Sequence, residues 1–94
     1  MNPVALITGA SRGLGRALSV ALAQKGALLA LLARDATALE ETAALCRSAG
    51  APQVLVVAAD LTNPDECLHA VTETVTAFGG LDPASYTHLR AHEP

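Results

Sequence analysis

The sequence of 94 residues is long enough for one small domain and carries a formal net charge of −3. Hydrophobic residues make up 51% of it but aromatic residues only 2%, so Ala, Leu and Val must form the core. No cluster of Lys and Arg indicates a nucleic-acid or membrane surface, and no signal-peptide pattern precedes the first apolar run. We therefore expect a cytoplasmic protein without nucleic-acid or membrane partners.

The first predicted unit is a strand, a glycine turn and a helix. The apolar run from Pro3 to Thr8 predicts a strand buried on both faces, as is typical of the centre of a parallel sheet. A periodic Ala- and Leu-rich segment predicts a helix that begins at Gly13 or Leu14 and ends before Gly26. The residues expected on its buried stripe are Leu14, Leu18, Ala21 and Leu22, with Lys25 ending the stripe near solvent.

A second strand and helix follow. The apolar run from Ala27 to Ala33 has the length of a buried strand and follows a capping glycine, although its Leu and Ala residues also suit a helix. Asp35 is predicted to begin the next helix and Gly50 to end it. The residues expected on the buried face of that helix are Leu39, Ala43, Cys46 and Ala49.

The third unit begins with the β-rich segment from Gln53 to Ala59, which predicts a strand. Asn63, Pro64 and Glu66 form a helix-start pattern: an Asn cap, Pro at the first helical position and Glu to close a capping box. The stripe expected on this helix consists of Cys67, Val71, Val75 and Phe78. The alternation predicts an α/β fold, the first half of a doubly wound parallel sheet (βαβαβα), with the first strand between the second and a fourth.

The turn after the first strand has the composition of a phosphate-binding loop. A helix start offers unpaired backbone N–H groups and positive potential, and a pyrophosphate satisfies both if no side chain blocks its approach. Gly9 is expected to make the turn, Gly13 to admit the phosphates and Gly15 to let the helix pack close to the sheet. The whole stretch is Thr8-Gly9-Ala10-Ser11-Arg12-Gly13-Leu14-Gly15.

In this strand–turn–helix context, the pattern T-G-x-x-x-G-x-G resembles the cofactor motif of the short-chain dehydrogenase/reductase family. The resemblance extends from residue 3 to about residue 82 and implies an N-terminal fragment of a Rossmann-fold, dinucleotide-binding domain. The residues of the turn that it implies in cofactor binding are Gly9, Ser11, Arg12, Gly13, Leu14 and Gly15.

The end of the second predicted strand carries Ala33 and Arg34, where a carboxylate would favour NAD. In the family that this sequence resembles, a basic residue at the position of Arg34, together with one at that of Arg12, implies NADP in preference to NAD. The chemistry agrees, because guanidinium groups pair with a phosphate dianion by charge-assisted hydrogen bonds. Asp35 could compete for the guanidinium of Arg34.

Asp60 and Leu61 follow the third predicted strand. The family resemblance implies that both contact the adenine ring, Asp60 by hydrogen bonding and Leu61 by packing or backbone contact. The alternative for Asp60 is an ordinary strand-end Asp in a turn.

Residues 83–94 depart from the family pattern. Pro83 lacks the N–H that a central strand needs, and Ser85 to Glu93 resembles the translation of a common sequencing-library adapter. We therefore expect a partial NAD(P)-binding domain over residues 1–82, truncated before the fourth strand, and a non-native tail over residues 83–94. The alternatives are a natural disordered tail and a metal or catalytic site built from His88, His92 and Glu93.

Catalysis in the family uses a Tyr and a Lys four residues later, with a Ser upstream, to protonate the carbonyl as hydride arrives from the nicotinamide. Ser85-Tyr86-x-x-x-Arg90 mimics that spacing, but Arg does not titrate at neutral pH, so we assign no catalytic residue and no metal ligand.

The resemblance implies an NADP(H)-dependent oxidoreductase that reduces a small-molecule carbonyl or oxidises the alcohol, and a homo-oligomeric parent protein. We expect this fragment to carry only the adenosine–pyrophosphate part of the site and to be inactive by itself. The alternative is a non-catalytic dinucleotide sensor or interaction module.

Overall fold

The computed structural model describes residues 3–79 and the backbone of residues 86–90. Strands and helices alternate in the order β1 (Val4–Thr8), α1 (Gly13–Gln24), β2 (Leu28–Ala33), α2 (Ala36–Ala49), β3 (Val54–Ala58), α3 (Pro64–Ala77) and β4 (Tyr86–Arg90). The strands form a parallel sheet in the order β3-β2-β1-β4. The predicted α/β class and the central place of β1 are therefore confirmed.

The strand β4 corrects one expectation about the end of the chain. Its backbone pairs in parallel with β1, with Val4 opposite Tyr86 and Thr8 opposite Arg90. The expectation that no strand follows α3 is therefore wrong for residues 86–90, whereas the end of the native domain near residue 82 stays a prediction. The prediction relied on Pro83, but the strand begins later in the sequence, so the missing proline N–H does not fall within the ladder.

The other expectations for residues 83–94 depend on side chains or segments that lie outside the described part of the chain. The metal or catalytic site weighed for His88, His92 and Glu93 depends on side chains that lie there, as does the Tyr-x-x-x-Arg spacing. The domain boundary at residue 82 and the foreign origin of Ser85 to Pro94 stay predictions.

Different helices cover the two faces of the sheet. Leu29 and Leu31 of β2 share one apolar cluster with residues of α1 and α2, and Ala30 and Leu32 share a second cluster with residues of α3. The strand β2 is therefore buried on both faces, as its continuous apolar run predicts.

Small side chains face the sheet on α1, which corrects the predicted stripe. The buried residues of this helix are Gly15, Ser19 and Ala23, whereas Leu14 is 54% exposed. Of the other predicted stripe residues, Leu18 and Leu22 are half-buried and Ala21 is exposed, while Lys25 is exposed as expected. A Cβ added to Gly15 would lie 1.9 Å from the carbonyl oxygen of Gly9, so the approach of α1 leaves room only for small residues.

The helix α2 has the predicted face. Leu39, Ala43 and Cys46 are fully buried, and Ala49 packs at the edge of the same cluster. Thr42 is also buried, which the sequence did not predict.

The helix α3 is rotated relative to the prediction. Ala70 and Thr74 are its buried residues, with Phe78 buried directly after its end. Val71 and Val75, which were expected in the stripe, are exposed, and Cys67 is half-buried. The expected stripe therefore holds only in part.

The start of α3 is capped by Asn63, as predicted, because its Oδ1 accepts the N–H groups of Asp65 at 2.9 Å and Glu66 at 3.4 Å. The expected capping box is not closed. Glu66 Oε1 accepts the N–H of Asp60 at 3.0 Å, and the N–H of Asn63 donates to the carbonyl of Asp60 at 3.0 Å. Glu66 thus supports the loop after β3 instead of its own helix cap.

Among the described residues, no helix combines the length and the apolar character needed to cross a membrane.

Candidate functional site

The carboxyl ends of β1, β2 and β3 lie side by side at one edge of the sheet. Thr8 is opposite Leu32, and Ala33 is opposite Ala58. The segments that follow these ends carry Gly9, Arg34 and Asp60, which the structure therefore brings to one edge. Open parallel sheets bind their ligands at this edge, near the point where the strand order reverses. Here that point is β1, between β2 and β4.

The glycine turn has the backbone that its sequence predicts. Gly9 has φ of 71° and Gly13 has φ of 59°, both in the left-handed region that favours glycine. The N–H groups of Gly9 and Ala10 donate to the carbonyl of Leu32 at 2.9 and 3.3 Å, which ties the turn to β2. Arg12 precedes α1, and its side chain makes no capping hydrogen bond. A helix start without a side-chain cap fits an anionic ligand.

An open pocket of about 250 Å³ lies at the carboxyl ends of β2 and β3. It is lined by Arg34, Ala58, Ala59, Asp60 and Glu66. It combines a cation, two carboxylates and two small apolar side chains. Leu61, expected to contact adenine, does not line this pocket. Its side chain packs against the cluster under α3, and its carbonyl accepts the thiol of Cys67 at 3.3 Å.

Asp60 is fixed by its neighbour Thr62. Oδ1 of Asp60 accepts the hydroxyl of Thr62 at 2.6 Å and the Thr62 N–H at 3.0 Å. These two hydrogen bonds, and to a smaller extent the charge of Arg34, lower the pKa of the Asp60 carboxyl from its ordinary value. The group at the pocket is therefore an ionised acceptor at neutral pH.

The two basic residues predicted at the site differ in their partners. Nη2 of Arg12 lies 2.8 Å from Oδ2 of Asp35. From the sequence, Asp35 is a candidate competitor for the guanidinium of Arg34, its neighbour in the chain. The structure shows that the partner of Asp35 is Arg12, while Arg34 is exposed at the pocket.

Arg16 is a residue of this region that the sequence did not predict. Its Nε donates to Oγ1 of buried Thr42 at 2.8 Å, and its Nη2 donates to the carbonyls of Ser11 at 2.7 Å and Ala38 at 3.0 Å. The same Nη2 lies 3.4 Å from the Glu41 carboxylate. This network joins the glycine turn to α2, across 26 positions between Arg16 and Thr42, and no local pattern signals it.

Within the part of the chain that the structure describes, no three His, Cys, Asp or Glu side chains form a group suited to a metal ion.

The family model for short chain dehydrogenases matches residues 3–83, so this chain belongs to that family. The chain is 49% identical over 79 residues to 11-beta-hydroxysteroid dehydrogenase 1A of Arabidopsis thaliana. That match covers 84% of this chain and 23% of the relative, so the chain spans about a quarter of the relative's length.

Two solved structures show the same fold with bound nucleotides. One is NAD+-bound xylitol dehydrogenase, with a TM-score of 0.79 and 32% identity over 85% of this chain and 30% of that one. The other is the alcohol dehydrogenase of Thermococcus sibiricus complexed with 5-hydroxy-NADP, with a TM-score of 0.78 and 35% identity over 87% of this chain and 35% of that one. Similar proteins of the family thus bind either an NAD or an NADP-type cofactor.

Proposed function

We propose that this chain binds NADP(H) in preference to NAD(H). The observation that carries the proposal is the exposed Arg34 at the end of β2, beside the pocket, with Ala33 where a carboxylate would hold the ribose hydroxyls. A guanidinium pairs with a phosphate dianion through charge-assisted, bidentate hydrogen bonds. Arg12, on the neighbouring turn, supplies a second positive charge near the same edge.

The other site residues suit the rest of the adenosine and pyrophosphate. The residues assigned to the pyrophosphate turn are Gly9, Ser11, Gly13, Leu14 and Gly15. Asp60 and Leu61 are assigned to the adenine side, Asp60 through its ionised carboxylate at the pocket. When bound, the cofactor supplies or accepts the hydride. The residues assigned here hold and orient its adenosine half, and none is assigned to catalysis.

We further propose that the complete protein is an oxidoreductase that reduces a small-molecule carbonyl or oxidises the corresponding alcohol. The family match supports this activity and does not favour a non-catalytic dinucleotide sensor or interaction module. A Tyr-x-x-x-Lys motif in the rest of the protein would distinguish the two. A cytoplasmic location and a homo-oligomeric assembly belong to the same proposal.

Calorimetric titration of the 94-residue chain with NADPH and with NADH tests the cofactor preference. NADPH should bind more tightly. Arg34→Gln should weaken NADPH binding about tenfold and NADH binding less than about twofold, because it removes a charge-assisted hydrogen bond to the 2′-phosphate. Arg47→Gln, which removes an exposed cation near the far end of α2, is the matched control. NADH binding equal to or tighter than NADPH binding contradicts the proposal.

The expected inactivity of this chain has its own test. The 94-residue chain should not consume NADPH with a panel of ketones and aldehydes. The complete protein should do so, and replacement of the Tyr in its Tyr-x-x-x-Lys motif should abolish the reaction. Sustained NADPH oxidation by the 94-residue chain alone would show that the assignment of no catalytic residue is wrong.

A further inference from the structure

Asp35 has two structural roles at the end of β2. Its Oδ1 accepts the N–H of Ala38 at 3.1 Å and so caps α2. Its Oδ2 holds the guanidinium of Arg12 at 2.8 Å. The helix cap therefore fixes a carboxylate beside the glycine turn, on the residue that directly follows Arg34.

The ion pair of Arg12 and Asp35 is open to solvent, since the two side chains are 68% and 45% exposed. Exposed pairs of this kind are weak, so a ligand that offers more negative charge can take over the guanidinium. A ribose 2′-phosphate is such a ligand. A ribose 2′-hydroxyl is not, because it carries no charge to compete with the carboxylate.

We propose that Asp35 is a specificity-determining residue that reduces the preference of this site for a 2′-phosphate. It does so in two ways: its charge repels the phosphate dianion, and its Oδ2 occupies the guanidinium of Arg12. The inference rests on the proposed binding of NADP(H), in which Arg12 and Arg34 face the 2′-phosphate. In this proposal, Arg34 provides the preference for a 2′-phosphate, and Asp35 makes that preference smaller.

Asp35→Asn isolates the charge, because Asn caps a helix about as well as Asp. The probes are 2′,5′-ADP and 5′-AMP, which share the adenosine and 5′-phosphate and differ in the 2′-phosphate. In calorimetric titrations of the 94-residue chain, the variant should bind 2′,5′-ADP about three- to fivefold more tightly than the original chain. The affinity for 5′-AMP should change by less than about twofold.

Asp35→Ser is a second variant that keeps a capping oxygen without the charge, and it should show the same change. Glu73→Gln removes one negative charge from α3, on the other face of the sheet, and should leave the affinity ratio unchanged. Raising the salt concentration should reduce the difference in affinity for 2′,5′-ADP between Asp35→Asn and the original chain, because salt screens the charge of Asp35.

The outcomes separate this inference from the proposed function. An unchanged affinity ratio in both Asp35 variants, or weaker binding of 2′,5′-ADP, overturns the role of Asp35 while the proposed function stands. Failure of the original chain to prefer 2′,5′-ADP over 5′-AMP overturns the proposed cofactor preference and the role of Asp35 with it.

Discussion

Arg16 and Thr42 fix the glycine turn from two different helices. The planar guanidinium of Arg16 has donors directed to the hydroxyl of Thr42 and to the carbonyls of Ser11 and Ala38, a geometry that an ammonium group does not reproduce. Thr42 also lies 3.2 Å from the Ser11 carbonyl and is fully buried. The carbonyl of Ser11 is therefore held toward α2. We infer that this orientation keeps the turn in one conformation at the start of α1.

The carboxyl of Asp60 should titrate below the ordinary range for Asp, because two hydrogen bonds from Thr62 favour its charged form. Thr62→Val removes the hydroxyl bond and keeps the backbone bond, so the pKa of Asp60 should rise toward its ordinary value. An NMR titration of the side-chain carboxyl carbon measures both values. Thr72→Val is the control, since the hydroxyl of Thr72 donates to the carbonyl of Leu68 and not to a carboxylate. An unchanged Asp60 pKa in Thr62→Val contradicts the prediction.

The lowered pKa of Asp60 also gives the sign of its effect on folding. A group with a folded-state pKa below its unfolded-state value stabilises the fold above the unfolded-state pKa, and that stabilisation is lost as the pH falls through the folded-state pKa. The contribution of Asp60 should therefore be constant near neutral pH and should disappear only in acid. Thr62→Val should reduce this acid-sensitive part of the unfolding free energy.

At the scale of the elements, apolar periodicity predicted the buried face of one helix and misplaced two others. On α2, the buried positions include Leu39, Ala43 and Cys46, so the pattern is visible in the sequence. On α1 and α3, the positions nearest the sheet include Ser19 and Thr74. Each of these hydroxyls donates to a carbonyl in the preceding turn of its own helix, which satisfies the buried polar group. A prediction from side-chain polarity alone therefore puts Ser19 and Thr74 on the exposed face of their helices, although both are buried.

The close contact of α1 with the glycine turn should make Gly15→Ala destabilising. Gly to Ala at an ordinary helix position stabilises a protein by about 0.5–1 kcal/mol. At Gly15, however, the new Cβ would lie 1.9 Å from the Gly9 carbonyl oxygen and force the helix away from the turn. Overpacking of this kind typically lowers the free energy of unfolding by about 1–3 kcal/mol.

Urea denaturation followed by circular dichroism measures the change for Gly15→Ala. Ala21→Leu, which adds a larger side chain to an exposed position of the same helix, should alter the free energy of unfolding by less than about 0.5 kcal/mol. A Gly15→Ala variant as stable as the original chain would show that α1 can move away from Gly9 without loss.

For the molecule as a whole, strand order places the site, and most of that placement follows from the sequence. Because β1, β2 and β3 are parallel, the residues after their carboxyl ends must share one edge, which brings Gly9, Arg34 and Asp60 together. The ion pair of Arg12 with Asp35 and the network around Arg16 could not be predicted in this way. They depend on how closely α1 and α2 approach each other. That approach is decided by packing between residues that are 23 to 26 positions apart in the sequence.

Deletion of residues 85–94 should destabilise the whole sheet, because it removes β4 and leaves one edge of β1 without its partner strand. β1 is buried and apolar, and an uncovered edge of this kind promotes pairing between chains. The shortened chain should unfold at least about 4 °C lower and should form oligomers with increasing concentration, as measured by thermal circular dichroism and light scattering. Deletion of residues 91–94 alone, which retains β4, is the control. An equal melting temperature and a monomeric state after the longer deletion would show that β1 does not depend on β4, whatever the origin of that segment.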